Sequence, residues 1–428
     1  MALNDVFRVT NYMVLGGNLT GTSYTMPVSG ALGTNYFAML TPMGDGGEGS
    51  GGNRNPNETL ARISGDTHGT GDLAANATNS LTITRNNAGS DDWQGVVTTV
   101  ECLTDPSGLG FNLLDVVNIS TAASSDTYLS ATCGTAWNNI DNVVVYAGCG
   151  GGGAISTSID RENTGLGWVR ATVSGTDTIN LYRDITGKHP TNAGTNTYTV
   201  YVVEWGANWN IQKIEDMTAT AFEVGASTVT AFETSTVGEA VTIGNTWINV
   251  FGNDDQDGIG ETFGGGASYV IGDGVSSTLT DLTAQTSSVS IGSEQAGSKN
   301  AAVYMNTHED VSSGFYFGPQ DDPPGIEVAD LSGDMTIAGA EGTEGYIHSG
   351  TVVINQGYRF CVISNTMNAP NLAWPRPMVA AVPLDDTTVR WKRTRTNIAG
   401  SIWLQVIDLA NIQFEDPLMW HNRGFVLI

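Results

Sequence analysis

The sequence predicts an all-β protein: four tandem β-sandwich-like modules of about 100 residues in a row, with almost no helix. Three observations predict it. The chain is rich in Gly (54 of 428 residues), Thr, Ser, Asn and Val, and only 14% of it is charged, the profile of short strands joined by many turns. No window sustains a helical period, and no heptads occur. Strand-like segments also recur at an even step along the chain.

The recurrence is clearest in "TYTVYVVEWGANWNIQ" (Thr197–Gln212), where Glu204 interrupts an apolar strand. Its counterparts "VVTTVECL", "AAVYMNTH" and "SIWLQVIDL" bring Glu101, Asn306 and Asp408 into one column with Glu204. The steps are 103 (204−101), 102 (306−204) and 102 (408−306) residues. A second column holds "NYFAML", "NVVVYA", "TWINVF" and "YRFCVI", each followed by a turn-rich insert, and a third holds "SLTITR", "TINLYR", "SSVSIGS" and "TVRWKR". These columns divide the chain into an N-terminal arm, 1-23, and β modules 24-120, 121-222, 223-325 and 326-428. Each module is the size of one sandwich domain, and units this long are expected to follow one another as beads rather than as a solenoid.

Side chains alternate along a strand, so Tyr198, Val200, Val202 and Glu204 share one face. In the third column Arg85, Arg183 and Arg393 likewise end an apolar face. Module three has Ser293 and Asn306 where the others have Arg and an acid, so both columns lose their charge together. A half-buried charge without a partner is costly, which predicts structural pairs Arg85–Glu101, Arg183–Glu204 and Arg393–Asp408. Recurrence in the same slot makes Glu204 part of a scaffold rather than a catalytic acid.

Several segments carry other chemistry. "NDDQDGIGE" places Asn253, Asp255, Asp257 and Glu261 at the spacing of a Ca2+ loop, where hard cations gather oxygens around a Gly turn. The competing reading is an acidic version of the insert that every module carries there. Ca2+ is the one cofactor the sequence offers. "VRWKRTRT" directs Arg390 and Lys392 one way and Trp391, Arg393 and Arg395 the other, which reads as an interface onto an acidic neighbour. The four Cys are expected as free thiols, Cys133 and Cys149 being the only two close in sequence. The five His have no metal-ligand spacing, and no H-E-x-x-H, G-x-S-x-G or Walker A motif occurs. Catalytic residues: none are expected, and the chain reads as no enzyme. Exposed aromatics, with Trp137, Trp168, Trp205, Trp209 and Trp420 lying near Gly and Asn, are candidates to stack on sugars or anchor an interface, against core filling as the default for most of the ten Trp.

A net charge of −27, from 44 acidic and 17 basic residues, opposes nucleic acid and anionic membranes as partners. No stretch reaches the roughly 18 apolar residues of a membrane span, and the N-terminus lacks a signal peptide pattern, so the chain is expected to be made and left in the cytoplasm unless it leaves as part of an assembly.

The tandem "YVVEW…NIQ" units behind "FRVTNYMVLGGNLTGTSYT" resemble structural proteins of tailed bacteriophage particles, capsid-decoration, head-fibre or tail-fibre in type. The resemblance spans the whole chain and implies a role only: a non-enzymatic virion component on the particle surface, partnered by other virion proteins and a homo-oligomer. A receptor- or glycan-binding adhesin and a polysaccharide-degrading tail protein are the alternatives. The adhesin predicts solvent-facing aromatics clustered at one end of a module. The degrading enzyme predicts two carboxylates roughly 5–10 Å apart in a groove.

Overall fold

The computed structural model describes residues 2–15, 21–45, 61–65, 78–85, 93–123, 125–148, 150–154, 169–183, 195–219, 233–254, 268–271, 285–292, 299–319, 350–357, 359–367, 379–383, 389–393 and 400–409. Nearly all regular structure among them is antiparallel β, with one short α-helix, Leu3–Val6.

The chain first lays down β1 (Phe7–Leu15), β2 (Ser23–Leu32), β3 (Tyr36–Asp45), β4 (Ala61–Gly65), β5 (Thr78–Arg85) and β6 (Trp93–Cys102). The second module follows as β7 (Phe111–Ser120), β8 (Tyr128–Thr132), β9 (Val143–Ala147), β10 (Gly151–Ala154), β11 (Arg170–Ser174), β12 (Thr178–Tyr182) and β13 (Thr195–Trp205). The third contains β14 (Asn210–Ala219), β15 (Glu233–Thr242), β16 (Thr246–Asp254), β17 (Ser268–Ile271), β18 (Gln285–Gly292) and β19 (Lys299–Thr307). The fourth contains β20 (Ser312–Pro319), β21 (Gly350–Gly357), β22 (Arg359–Met367), β23 (Val379–Pro383), β24 (Val389–Arg393) and β25 (Gly400–Asp408).

Every module builds its larger sheet in one order, with the last strand between the first and the third: β1–β6–β3, β7–β13–β9, β14–β19–β16 and β20–β25–β22. Most of the remaining strands make a smaller sheet: β2–β5–β4, β8–β12–β11, β15–β18–β17 and the pair β23–β24, while β10 continues beyond β9 along β13 in the larger sheet of module two. The registers repeat as well. Glu101, Glu204, Asn306 and Asp408 face Tyr36, Val143, Trp247 and Arg359 on the third strand. On the first strand they face Arg8, Asn112, Ile211 and Ser312.

This pairing moves the expected boundaries. Residues 7–15 are not part of an arm, because β1 pairs along its length with β6. By sheet membership the units run 7–102, 111–205, 210–307 and 312–408, joined by connectors 103–110, 206–209 and 308–311. The first strands were unreadable as a column because "FRVTNYMVL", "FNLLDVVNIS", "NIQKIEDMTA" and "SSGFYFGP" share no pattern. Strand β21 also departs from the repeat. It occupies the second-strand place of module four, yet it pairs with β1 of module one.

The larger sheets bury both faces. In module two Tyr198, Val200 and Val202 of β13 face the smaller sheet, together with Val143, Val145, Ile179 and Leu181. Their alternates Tyr201, Val203 and Trp205 belong to a second core that contains side chains from all four modules. Rings from the four third strands meet there: Phe37 stacks on Tyr146 with centroids 4.0 Å apart, and Trp247 lies 5.8 Å from Tyr146 and 4.8 Å from Phe360.

Neighbouring modules are also joined at their sides. Arg62 of β4 donates to Asn118 Oδ1 (2.8 Å) and Thr199 Oγ1 (3.0 Å) of module two. Arg170, at the same register in module two, donates to the Glu215 carbonyl (3.0 Å) and pairs with Asp216 of module three. Strand β17 lies against β22 and β25, and β23 lies against β3 and β6. The order of contacts is therefore cyclic. The modules follow one another in sequence, but in space they share a core that separate beads would not have.

The connectors gather at one end. The Leu103 amide donates to the Val6 carbonyl (2.7 Å), Gly206 to Gly110 (2.9 Å) and Ala207 to Ser107 (2.9 Å), and Trp209 lies 5.2 Å from the His308 ring. The approach is close enough that a Cβ on Gly206 would stand 2.2 Å from the Gly108 carbonyl oxygen, so glycine is required there.

Candidate functional site

The repeat columns mark the most distinctive buried polar groups, and their partners differ from the predicted pairs. Arg85 is fully buried at the end of β5, and its Nε donates to the Gly21 carbonyl (2.8 Å) while its own amide donates to Thr22 (3.0 Å). Arg183 repeats this in module two: Nε donates to the Asp126 carbonyl (3.0 Å) and the amide to Thr127 (2.9 Å). Both arginines thus fasten the connection from first to second strand by its carbonyls.

The acid column works at the opposite end of the module. Glu101 Oε1 accepts from the Gly33 amide (2.5 Å), and the carboxylate is ion-paired with Arg8, its cross-strand neighbour. Glu204 accepts from the Asn138 amide (2.9 Å), the Asn138 side chain (3.1 Å) and the Asn139 amide (2.6 Å). Asp408 accepts from Arg359 Nε (3.0 Å), again directly across the strand pair. Glu101 and Glu204 therefore bind the connection from second to third strand, and Asp408 binds the start of the third strand itself.

These partners correct two of the three expected pairs. Glu101 pairs with Arg8 rather than Arg85, and Glu204 is held by amides rather than Arg183. Asp408 meets Arg359, and the side chain of Arg393 lies outside the described residues. The reason is geometric. Arg85 precedes the start of β6 and Glu101 ends it, so eight residue steps of about 3.3 Å each, roughly 26 Å, separate the two ends. β5 and β6 also belong to different sheets and form no hairpin. The neutral third module has its own cause. Asn306 faces Ile211 and Trp247, which offer no cation, and its Nδ2 contacts the Tyr146 hydroxyl (3.4 Å).

A column of asparagines escaped the sequence reading. Asn35 donates to the Phe111 carbonyl (2.6 Å) and accepts from the Leu113 amide (2.6 Å), tying module one to the first strand of module two. Asn142 donates to the Trp205 carbonyl (3.2 Å), and Asn245 to those of Glu309 (3.0 Å) and Val311 (2.7 Å). The signal was present: an Asn begins or immediately precedes "YFAML", "VVVYA" and "TWINVF".

Of the other candidates, Asp255, Asp257 and Glu261 lie outside the described residues, and Asn253 is described only as backbone of β16. Arg390 and Lys392 are likewise described only as backbone of β24, and Arg395, Ser293, Cys149, Trp168 and Trp420 lie outside. Among the described residues no group of His, Cys, Asp and Glu is placed to hold a metal ion, and no helix is long and apolar enough to cross a membrane. Cys102, Cys133 and Cys361 are buried free thiols. Burial pushes the Cys133 thiol up to about 11 and raises the other two, so all three are held protonated. Trp137, Trp205 and Trp209 are core residues, not exposed rings.

Lys213 on β14 is the exception among surface-type residues. Its ammonium donates to the Ile140 carbonyl between modules two and three, 6.0 Å above the Tyr304 ring. Burial lowers its pKa from 10.5 to about 8. The unfolded chain then holds a proton that the folded chain lacks between pH 8 and 10.5, so the contribution of Lys213 to stability rises with pH across that window. The rise is of the order of 3 kcal/mol. Urea unfolding of wild type and Lys213→Met at pH 7.5 and 10 checks it: the variant loses its advantage at the higher pH.

No family model matches the chain, and no curated protein matches it.

Proposed function

We propose that the protein is a non-enzymatic structural component of a tailed virus particle, carried on the particle surface as capsid decoration, head fibre or a tail-fibre-type part. The observation that carries this reading is the common core: four equivalent modules surround one aromatic cluster, which makes the chain a single stiff body rather than a flexible string. The acids that could have served catalysis support the same view. Glu101 and Glu204 are committed to loop amides and a cross-strand arginine. The resemblance of the tandem units to phage particle proteins adds the setting, with other virion proteins and further copies of this chain as partners.

The third strands start beside the connectors and run away from them. β3 ends at Asp45 opposite Trp93, far from Glu101, and the insert follows. The third strands of the modules therefore end remote from the connectors, where in module two β10 continues along β13, which suits a body attached at one end and presenting sequence-variable segments at the other. Gold-labelled antibody against the chain, applied to intact particles, tests the reading. Label is expected on the particle surface, and its absence from purified particles would overturn the proposal.

A further inference from the structure

The outer face of the smaller sheet in module two has an aromatic rung that the scaffold does not require. Tyr128, Tyr182 and Arg170 lie side by side across β8, β12 and β11. Their chain neighbours Leu129, Leu181 and Ala171 point into the module core, so the rung faces outward. Tyr128 is 51% exposed on an edge strand, with its ring 5.3 Å from that of Tyr182. Its hydroxyl donates to Asn180 Oδ1 (2.7 Å), and Asn180 Nδ2 donates to Ser174 Oγ (3.0 Å). The Arg170 guanidinium stacks 4.3 Å from the centroid of Tyr182 and is itself held by Asp216. Both rings are thus fixed before any ligand arrives, which lowers the entropy cost of binding.

A cross-strand tyrosine pair can simply stabilise a sheet. The repeat supplies the control. The same rung is Ser23–Thr84–Arg62 in module one, and it carries Gly292 with Ser268 in module three and Lys392 with Ala380 in module four. Modules one and three form the same sheet, and module four its β23–β24 pair, without these rings. The surroundings indicate what the rings are for. The next rungs on this face carry Ser130, Asn180 and Thr172, then Thr132, Thr178 and Ser174; Ser130, Thr132 and Ser174 are exposed, Thr178 is half-buried, and Asn180 and Thr172 are buried, with no aliphatic side chain among them. A protein hot spot would want an apolar, desolvated surround. A flat exposed ring beside the exposed hydroxyls of Ser130 and Thr132 instead fits a pyranose, which offers one apolar C–H face and a rim of hydroxyls. With a net charge of −27, the chain favours neutral over acidic sugars.

We infer that the Tyr128–Tyr182 face of module two is a binding platform for neutral hexose or N-acetylhexosamine glycans. The inference is independent of where the protein resides, so its failure would leave the particle reading intact. The full chain, applied to an array of neutral hexose and N-acetylhexosamine oligosaccharides, is expected to bind, with calorimetry giving the affinity for the strongest responder. Tyr128→Leu and Tyr182→Leu should each weaken that affinity at least tenfold, and Ser130→Arg, at an exposed position beneath the ring, should obstruct it without altering the melting temperature. Ser23→Leu, on the matching rung of module one, should change nothing. An array without signal, or affinity unchanged in Tyr128→Leu and Ser130→Arg, would overturn the inference.

Discussion

Trp247→Ala is expected to destabilise the protein by about 3–5 kcal/mol and to loosen all four modules together. Trp247 belongs to module three, yet its ring stands 6.1 Å from Phe37, 5.8 Å from Tyr146 and from Trp205, and 4.8 Å from Phe360, reaching modules one, two and four. Modules with separate cores would confine the damage to module three. A shared core transmits it, because the rings on every side lose their contacts to the same cavity. The result expected in calorimetry is a downward shift of the main unfolding transition for Trp247→Ala and a small shift for Trp247→Phe, which keeps a ring in the cluster. A single early transition of about one quarter of the total enthalpy, with the remainder unmoved, would mean that the modules unfold independently.

The second large effect is expected at the ion pair that closes the acid column. Arg359 and Asp408 are 1% and 0% exposed, and the guanidinium holds the carboxylate directly across β22 and β25. Arg359→Met should cost about 3–5 kcal/mol, since it leaves a buried carboxylate without its cationic neighbour. Adding Asp408→Leu to that variant should recover much of the loss, because two apolar groups replace a pair whose desolvation was itself costly. Glu204→Gln is expected to be milder, about 1–3 kcal/mol, as an amide oxygen can still accept from Asn138 and Asn139. Urea unfolding of the four proteins ranks these effects. A Glu204→Gln loss equal to that of Arg359→Met would contradict the separate roles assigned to the two sites.

The all-β class and the repeat were legible because both depend on local rules. Alternation along "YVVEW" and the even spacing of Glu101, Glu204, Asn306 and Asp408 survive in any arrangement of the modules, and the four positions do share one register. Glu204 accepts from the Asn138 and Asn139 amides in the connection from β8 to β9. The pairings Arg85–Glu101 and Arg183–Glu204 failed because charge compensation in sequence does not specify distance. The two columns sit at opposite ends of the module in modules one and two, and Asn306 of module three has a local cause of its own in Ile211 and Trp247. Of the tryptophans offered as exposed aromatics, Trp205 and Trp209 fill the space between modules and connectors, and among the described residues the exposed ring is Tyr128.

The sequence by itself therefore determined the strands, their faces and the fourfold period, since these follow from side-chain alternation and turn chemistry within a few residues. Only the tertiary structure decided that the second face of each larger sheet turns to a common core, that β21 crosses to module one, and which group satisfies each buried charge. Those choices bring together residues 100 to 350 positions apart, as Asn11 donating to the Arg359 carbonyl across 348 positions illustrates. No local preference encodes such a contact. It is selected by the burial of apolar faces and by the need of every buried polar group for a partner.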